Sequence, residues 1–523
     1  MTIVTNEVSS TRNGTGNTTK PGGSHPLGVL KRNKAERAID QARNAALVTE
    51  SLSLDERLKH ISNLKKVLLN QKDRIVTEIC KATGKSSFDA ISSEIYGVLD
   101  TIRFLEASAK KALQDQVVPT PLTLMGKKSY IQYTPRGVVL VICSWNYPFF
   151  QMLVPTLFSY AAGNSIVIKP SEKAPLPGLL EPLLFEAGFP QNAVQVIDGD
   201  GQMGSYLIDL KPDYISFTGG TDTGKRIMAQ ASENLIPLEL ELGGKDPMVV
   251  FEDVHINRCV AGALWGSFTN AGQSCTSVER IIVHKSIANT FIQNLVQEAD
   301  KINLTNHNIG IDMGSMTCSH QLRLVHKQVQ EAILGGAKIL TKGRWDEKSM
   351  NYPPTVMIDV PQSADLRHNE TFGPVVYIDT FATEQEAIAL ANNSMYGLSA
   401  SIWSKDLKRA SRVAKKLKTG NISINNVMIT EGNAALPFGG TKASGLGKAK
   451  GVEGLRGLCQ ATSIIIEKSS SKIEANWYPY TQKKSALFPK FLGYFQGGFR
   501  GLLALAVFGL RLESVAQKGR PNP

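Results

Sequence analysis

The chain has 523 residues, 42% of them hydrophobic and 20% charged, a length and balance that imply two to four domains and exclude a disordered or fibrous chain. Its net charge of +12 gathers at the ends: residues 1–34 carry five Lys and Arg against one Glu, and residues 472–523 carry eight against two. The middle is therefore close to neutral, which argues against a nucleic-acid groove and suits basic tails or contact with an anionic membrane surface.

Residues 1–26 are rich in Thr, Ser, Asn and Gly without an apolar run. They predict a disordered tail and no secretion signal. Residues 33–115 space apolar positions as helices do, as in "RLKHISNLKKVLLNQKDRIVTEICKAT", and predict several amphipathic helices. The stretch 117–136, with Pro119, Pro121 and "KKSYIQYTP", predicts a β-hairpin or an extended arm.

From Gly137 strands and helices alternate. "GVVLVICSW" is an apolar run of the kind buried on both faces of a parallel sheet. A helix over 149–162 follows, then strands in "NSIVIKPS", "VQVIDG", "YISFTGG", "PLELELGG" and "PMVVFED". Repeated βα units predict an α/β fold, a doubly wound parallel sheet with ligands at the strand C-termini. A second α/β stretch covers 246–440, with strands in "RIIVHKSI", "YPPTVMIDV", "GPVVYIDTF" and "LSASIWS" and a helix at 286–302. "ATSIIIEKS" at 461–469 adds a strand suited to pairing with another element or subunit.

The tail "FPKFLGYFQGGFRGLLALAVFGLRL" places Phe488, Phe491, Leu492, Phe495, Phe499, Leu502, Leu503, Ala506 and Leu510 on one helical face. Lys490 and Arg500 interrupt it. An Arg at the centre of a spanning helix costs roughly 2.5–3.5 kcal/mol, and ten strong apolar residues return only about 3–6 kcal/mol. Glycines weaken a span further. The expectation is a helix over 485–512 lying in the membrane interface, with a soluble helix packed on a dimer as the alternative.

Six cysteines, Cys80, Cys143, Cys259, Cys275, Cys318 and Cys459, form no CxxC pair and cluster with no His. This argues against a zinc site or disulfide framework and for a reducing compartment. Cys275 stands apart. Its setting, "FTNAGQSCTSVER", is small and polar, as suits a sulfur that must be reached. "FTGGTDTG" sets Gly219 at a strand–helix junction, where a phosphate approaches a helix N-terminus; a plain tight turn explains it equally. "KPSE" puts Lys169 and Glu172 at a strand end, where a carboxylate would hold ribose hydroxyls and repel a 2′-phosphate; a solvated strand end is the other reading. Glu241 of "LELELGGK" and Asn146 of "CSWNYPFF" each have structural readings when taken alone.

Taken together, WNYP, KPSE, FTGGT, ELGGK, GQSC, ETFGPV and PFGGTKASGLG occur in this order. From about residue 33 to 470 the chain resembles the NAD(P)-dependent aldehyde dehydrogenases. The resemblance implies that Cys275 is the nucleophile, Glu241 the general base and Asn146 an oxyanion donor with the Cys275 backbone N–H. It implies that Lys169 and Glu172 hold the adenosine ribose, Gly219 and Gly220 lie by the pyrophosphate, and Glu370 and Phe372 position the nicotinamide side. Trp145 and Leu242 join the cofactor set on the same ground. Many members carry Ser where Gly220 stands, so one pyrophosphate hydrogen bond is in question.

The implied domains are cofactor-binding (27–116 and 137–245), catalytic (246–454) and an oligomerisation arm (117–136 and 455–471), in a homodimer. The implied chemistry is attack by Cys275 to give a thiohemiacetal, hydride loss to NAD (NADP as an alternative acceptor) and hydrolysis of the thioester with Glu241 as base. No metal is required. A coenzyme A-acylating enzyme, a short-chain or semialdehyde dehydrogenase and a non-catalytic protein of the same fold are the rivals; Glu241 argues against the first. Membrane-associated relatives that oxidise fatty aldehydes also carry a hydrophobic C-terminal extension. The tail therefore points to a long, lipid-soluble aldehyde, fatty or polyene (carotenoid), met at the cytoplasmic side of a membrane.

Overall fold

The computed structural model describes residues 28–124, 126–304 and 311–518. The tail expected over 1–26 lies outside the described residues. Helices Val29–Ser51, Leu54–Asn70, Lys72–Thr83 and Tyr96–Leu113 occupy the amphipathic stretch. The second begins with a reciprocal cap, Ser53 Oγ accepting from Glu56 N at 3.3 Å and Glu56 Oε2 from Ser53 N at 2.8 Å.

The first sheet has six strands in the order Gly445–Leu446, Leu238–Glu241, Tyr214–Thr218, Val138–Ile142, Ser165–Lys169, Val194–Val196. All its pairings are parallel except that of the short Gly445–Leu446 edge. Every residue of Val138–Ile142 and Ser165–Lys169 is buried, as a sheet covered on both faces requires. Sequence grouping put residues 246–454 in one unit. Here Gly445 pairs with Glu241, because "PFGGTKASGLG" folds back onto the first sheet.

The second sheet has seven strands, in the order Lys338–Ile339, Thr355–Ile358, Val375–Phe381, Val278–His284, Asp246–Val250, Ser399–Trp403, Asn421–Ile424. Only the first pairing is antiparallel. A third, antiparallel sheet joins Gln116–Val118, Lys127–Pro135 and Cys459–Glu467. The 117–136 stretch thus pairs within itself and with the 461–469 strand. Leu455 and Leu458 pack in the core of the first sheet rather than in this arm.

The C-terminus departs from the single helix expected over 485–512. Helix Gln482–Phe491 tightens into a 3₁₀ turn, Leu492–Gln496, and the chain turns back at Gly497 and Gly498, whose φ values are +72° and +62°. Both lie in the left-handed region that glycine enters without steric cost. A second arm runs over 498–518 and packs against the first. Other glycines lie where the arms meet: a Cβ on Gly501 would come within 2.5 Å of the Tyr494 carbonyl oxygen, and one on Gly509 within 3.3 Å of the Phe491 ring. Periodicity continued through the break because both arms keep an apolar face. Phe495, Phe499, Leu502, Leu503 and Leu510 on that face remain exposed. Among the described residues no helix is long and apolar enough to cross a membrane.

Candidate active site

The Val138–Ile142 strand lies between Ser165–Lys169 and Tyr214–Thr218, so successive connections leave its C-terminal end in opposite directions. Such a switch point opens a crevice. A cavity of about 290 Å³ fills it, lined by Trp145, Asn146, Gly219, Gly220, Glu241, Leu242, Cys275, Glu370 and Phe372. Those are the predicted site residues except Lys169 and Glu172, which sit beyond its walls at the next strand end. Lys169 Nζ donates to Glu172 Oε2 at 2.9 Å. Burial opposes ionisation of Glu172, but the Lys169 bond and charge outweigh it and hold the carboxyl below its usual range.

Gly220 caps helix Thr221–Ser232, and a Cβ there would meet nothing within 4 Å. A serine would fit, so glycine leaves the helix N-terminus uncovered rather than relieving a clash. At Gly243 a Cβ would come within 2.3 Å of Glu370 Oε2. Glu370 Oε1 accepts from Gly244 N at 3.0 Å. Burial, then the nearby Glu279 charge, pushes the Glu370 carboxyl up to about 8. The Trp145 and Phe372 rings meet edge to face with centroids 5.3 Å apart.

The nucleophile candidate follows a strained turn. Asn270, Ala271 and Gly272 have φ values of +52°, +56° and +67°. Non-glycine residues in this region cost roughly 1–2 kcal/mol each, and hydrogen bonds hold them there. Asn270 Nδ2 donates to the carbonyls of Gln273 and Asn146, both at 3.1 Å, and Gln273 Nε2 donates to Asn270 O at 2.9 Å. The small polar neighbours of Cys275 were expected to keep its approach open. Instead Asn270, Gln273, Ser274, Thr276 and Ser277 are buried, and Cys275 itself is 8% exposed. Access comes through the cleft, and the polar side chains build the turn.

Cys275 Sγ donates to Glu241 Oε1 at 3.2 Å. Burial, then the charges of Glu241 and Glu431, pushes the thiol well above its ordinary range. Burial, then Glu431, pushes Glu241 up to about 7. The sulfur therefore holds its proton with an acceptor in reach. Asn146 commits one side-chain N–H to Gln273 O at 3.0 Å, and its Oδ1 accepts from Ser144 Oγ at 2.7 Å. Asn146 also lines the cleft.

Comparison with known proteins agrees with this geometry. The aldehyde dehydrogenase family matches residues 17–464. The chain belongs to the aldehyde dehydrogenase family. It is 38% identical over 489 residues to the 4,4′-diapolycopene aldehyde oxidase of Methylomonas sp, covering 93% of this chain and 89% of that protein. It is 34% identical over 451 residues to the peroxisomal aminoaldehyde dehydrogenase 1 of Pisum sativum, covering 85% and 88%. The betaine aldehyde dehydrogenase of Staphylococcus aureus, solved in complex with NAD⁺, superposes with a TM-score of 0.78 at 32% identity, covering 86% of this chain and 89% of that one.

This aldehyde dehydrogenase is an NAD(P)-dependent enzyme, and its structure adds residues that sequence reading missed. A cavity of about 380 Å³ is lined by Tyr147, Phe150, Trp265, Met428, Glu431 and Lys450, among others. That volume falls in the usual range for ligand sites. Tyr96, Trp265 and Ile429 in its wall are exposed apolar side chains. Two buried ion pairs support the centre. Lys85 pairs with Glu94 and donates to Asn146 O at 2.8 Å, while Glu94 Oε2 accepts from Phe149 N at 2.8 Å in the first turn of helix Pro148–Ala161. Lys245 pairs with Glu279, which accepts from the backbone N–H groups of Thr371 and Phe372 at 3.0 and 2.9 Å. The available signal was a charge inside an apolar stretch, as in "SVERIIV".

Proposed function

We propose that this enzyme oxidises a long polyene aldehyde of carotenoid type to the carboxylic acid, with NAD, at a membrane surface. The carrying observation is the C-terminal hairpin, which exposes a row of large apolar side chains on two arms too short to span. Trp477, Tyr478 and Tyr480 stand exposed just before it, and Lys483, Lys490, Arg500 and Arg511 are exposed on it. Aromatic and basic residues around an apolar face suit the headgroup boundary. The large, apolar-walled cavity and the 38% identity to a diapolycopene aldehyde oxidase support the polyene over a short aldehyde. The nine-residue Cys459–Glu467 strand at the edge of the arm supports a homodimer, since a long unpaired edge invites a second copy.

In this reading Glu241 takes the Cys275 proton and the sulfur attacks the aldehyde carbon. The Asn146 side-chain amide and the Cys275 backbone N–H hold the resulting oxyanion. The open helix N-terminus at Gly220 and the Trp145, Glu370 and Phe372 walls fit a dinucleotide, with Glu172 disfavouring a 2′-phosphate. Bound NAD supplies the hydride acceptor. Once Glu241 has passed the thiol proton to solvent it takes a proton from water, the water oxygen bonds to the thioester carbon, and the C–S bond breaks with the sulfur regaining a proton from Glu241. Glu241 at 3.2 Å from the sulfur favours water over coenzyme A as acyl acceptor.

The test is truncation after Tyr480. The full chain should sediment with vesicles of phosphatidylcholine and an anionic lipid and stay bound in high salt, because apolar burial is unscreened. The truncated chain should stay in solution and lose kcat/KM for a polyene dialdehyde in vesicles while keeping it for propanal. Equal fractionation and equal substrate preference would leave the hairpin a packing element and remove the main support for a lipid-soluble substrate.

A further inference from the structure

Cys275 has carboxyl groups on two sides. The sulfur and one oxygen each of Glu241 and Glu431 all lie within 4.8 Å of one another. Glu241 ends a strand of the first sheet and lines the cofactor cleft, whereas Glu431 lies after the last strand of the second sheet and lines the apolar cavity. The pair therefore spans the two cavities with the sulfur between. Glu431 is held in place: Thr276 Oγ1 donates to its Oε2 at 3.4 Å, and Lys450 Nζ donates to its backbone carbonyl at 2.9 Å. Lys450 is buried, its ammonium 4.7 Å from the Phe150 ring centre and 5.1 Å from that of Phe438.

Two carboxylates this close repel each other when both are charged, and the charge of Glu431 is one cause of the raised proton affinity of Glu241. We infer that Glu431 is a second acid–base group of the reaction centre, sharing one proton with Glu241 across the Cys275 sulfur. This rests on the reading of Cys275 as nucleophile and Glu241 as base. In thioester hydrolysis the proton leaving water goes to the carboxyl pair, the water oxygen bonds to the acyl carbon, and the breaking C–S bond leaves its electrons on sulfur, which takes a proton back. The groups facing the pair are Cys275, Tyr147, Thr218, Thr276 and Lys450, with Glu239 on the same strand and the charge of Glu370 also acting on the sulfur. Lys450 acts against the acids, because its positive charge favours the ionised pair.

The opposed signs make the test. Alkylation of Cys275 by iodoacetamide without cofactor, mapped by peptide analysis, and steady-state oxidation of propanal are each followed against pH. Glu431→Gln removes a negative charge, so both profiles should move to lower pH. A shift of one unit makes alkylation at pH 7 about tenfold faster. Lys450→Met should move both profiles to higher pH, and Glu431→Asp should stay near the parent. Profiles that do not move, or that move the same way in Glu431→Gln and Lys450→Met, overturn the role of Glu431. Alkylation mapped to another cysteine overturns the reading of the centre itself, and this inference with it.

Discussion

The thiol of Cys275 donates to Oε1 of Glu241 at 3.2 Å, joining a loop of the seven-stranded sheet to a strand end of the six-stranded one. The proposed nucleophile and base thus meet only because the two sheets pack together. At this junction a Cβ on Gly244 would come within 2.3 Å of the Cys275 carbonyl oxygen. The contact makes Glu241 the nearest acceptor for the thiol proton and leaves it beside the sulfur when an acyl group occupies it.

Glu241→Gln should therefore slow hydrolysis more than hydride transfer. Rapid mixing should show a burst of NADH followed by a slow steady rate. Burst and steady rate falling equally would assign Glu241 to an earlier step. As the proposed base Glu241 acts only when ionised, and its carboxyl is pushed up to about 7. Steady-state turnover should fall as pH drops below about 7.

Cys275→Ala should abolish oxidation while leaving NAD affinity nearly unchanged, since the sulfur is one wall of a cleft built mainly by other residues. Titration of the variant by fluorescence, beside a turnover assay, checks both halves. Turnover near that of the parent would show that another group attacks the aldehyde.

Glu172 is the proposed barrier to a 2′-phosphate, and its carboxylate is about half exposed beside Lys169. Glu172→Gln should raise kcat/KM for NADP relative to NAD by about tenfold, the scale of one lost charge repulsion near a surface. An unchanged ratio would place cofactor preference elsewhere.

The Lys85–Glu94 pair is almost fully buried. Breaking such a pair from one side costs about 3–5 kcal/mol, because the remaining charge stays desolvated. Glu94→Ala should lower Tm markedly and also lower kcat, since Lys85 holds the Asn146 carbonyl. Lost stability with unchanged kcat would mean that the Asn146 turn holds itself.

Glu239, Glu241 and Glu370 are pushed up to about 7, 7 and 8, chiefly by burial. A carboxyl raised by folding binds its proton more tightly in the native state. The stability it contributes is full below the unfolded value near 4.5 and is lost as pH rises through 7 to 8. The enzyme without cofactor should melt at a lower temperature at pH 8.5 than at pH 6 in calorimetry.

Local pattern determined much of this protein. Strands buried on both faces read as unbroken apolar runs, as Val138–Ile142 and Ser165–Lys169 did, because a covered parallel sheet leaves no polar face. Asn146, Glu241, Cys275, Glu370 and Phe372, which line one cleft, were legible through the ordered set of motifs and not from each short stretch alone. Periodicity also found the apolar face of the tail. It could not find the reversal at Gly497 and Gly498, because a glycine's choice of left-handed backbone leaves no mark on the spacing of its neighbours.

Tertiary structure alone decided what each site residue meets. Glu431 lies 156 positions from Cys275 in the chain, and Lys85 lies 61 from Asn146. No local window contains both members of either pair. The proton affinities of Glu241 and Cys275 follow from burial and from distant charges such as that of Glu431. Electrostatic interaction depends on separation in space and on exclusion of water, and both are set only when the two sheets close on each other.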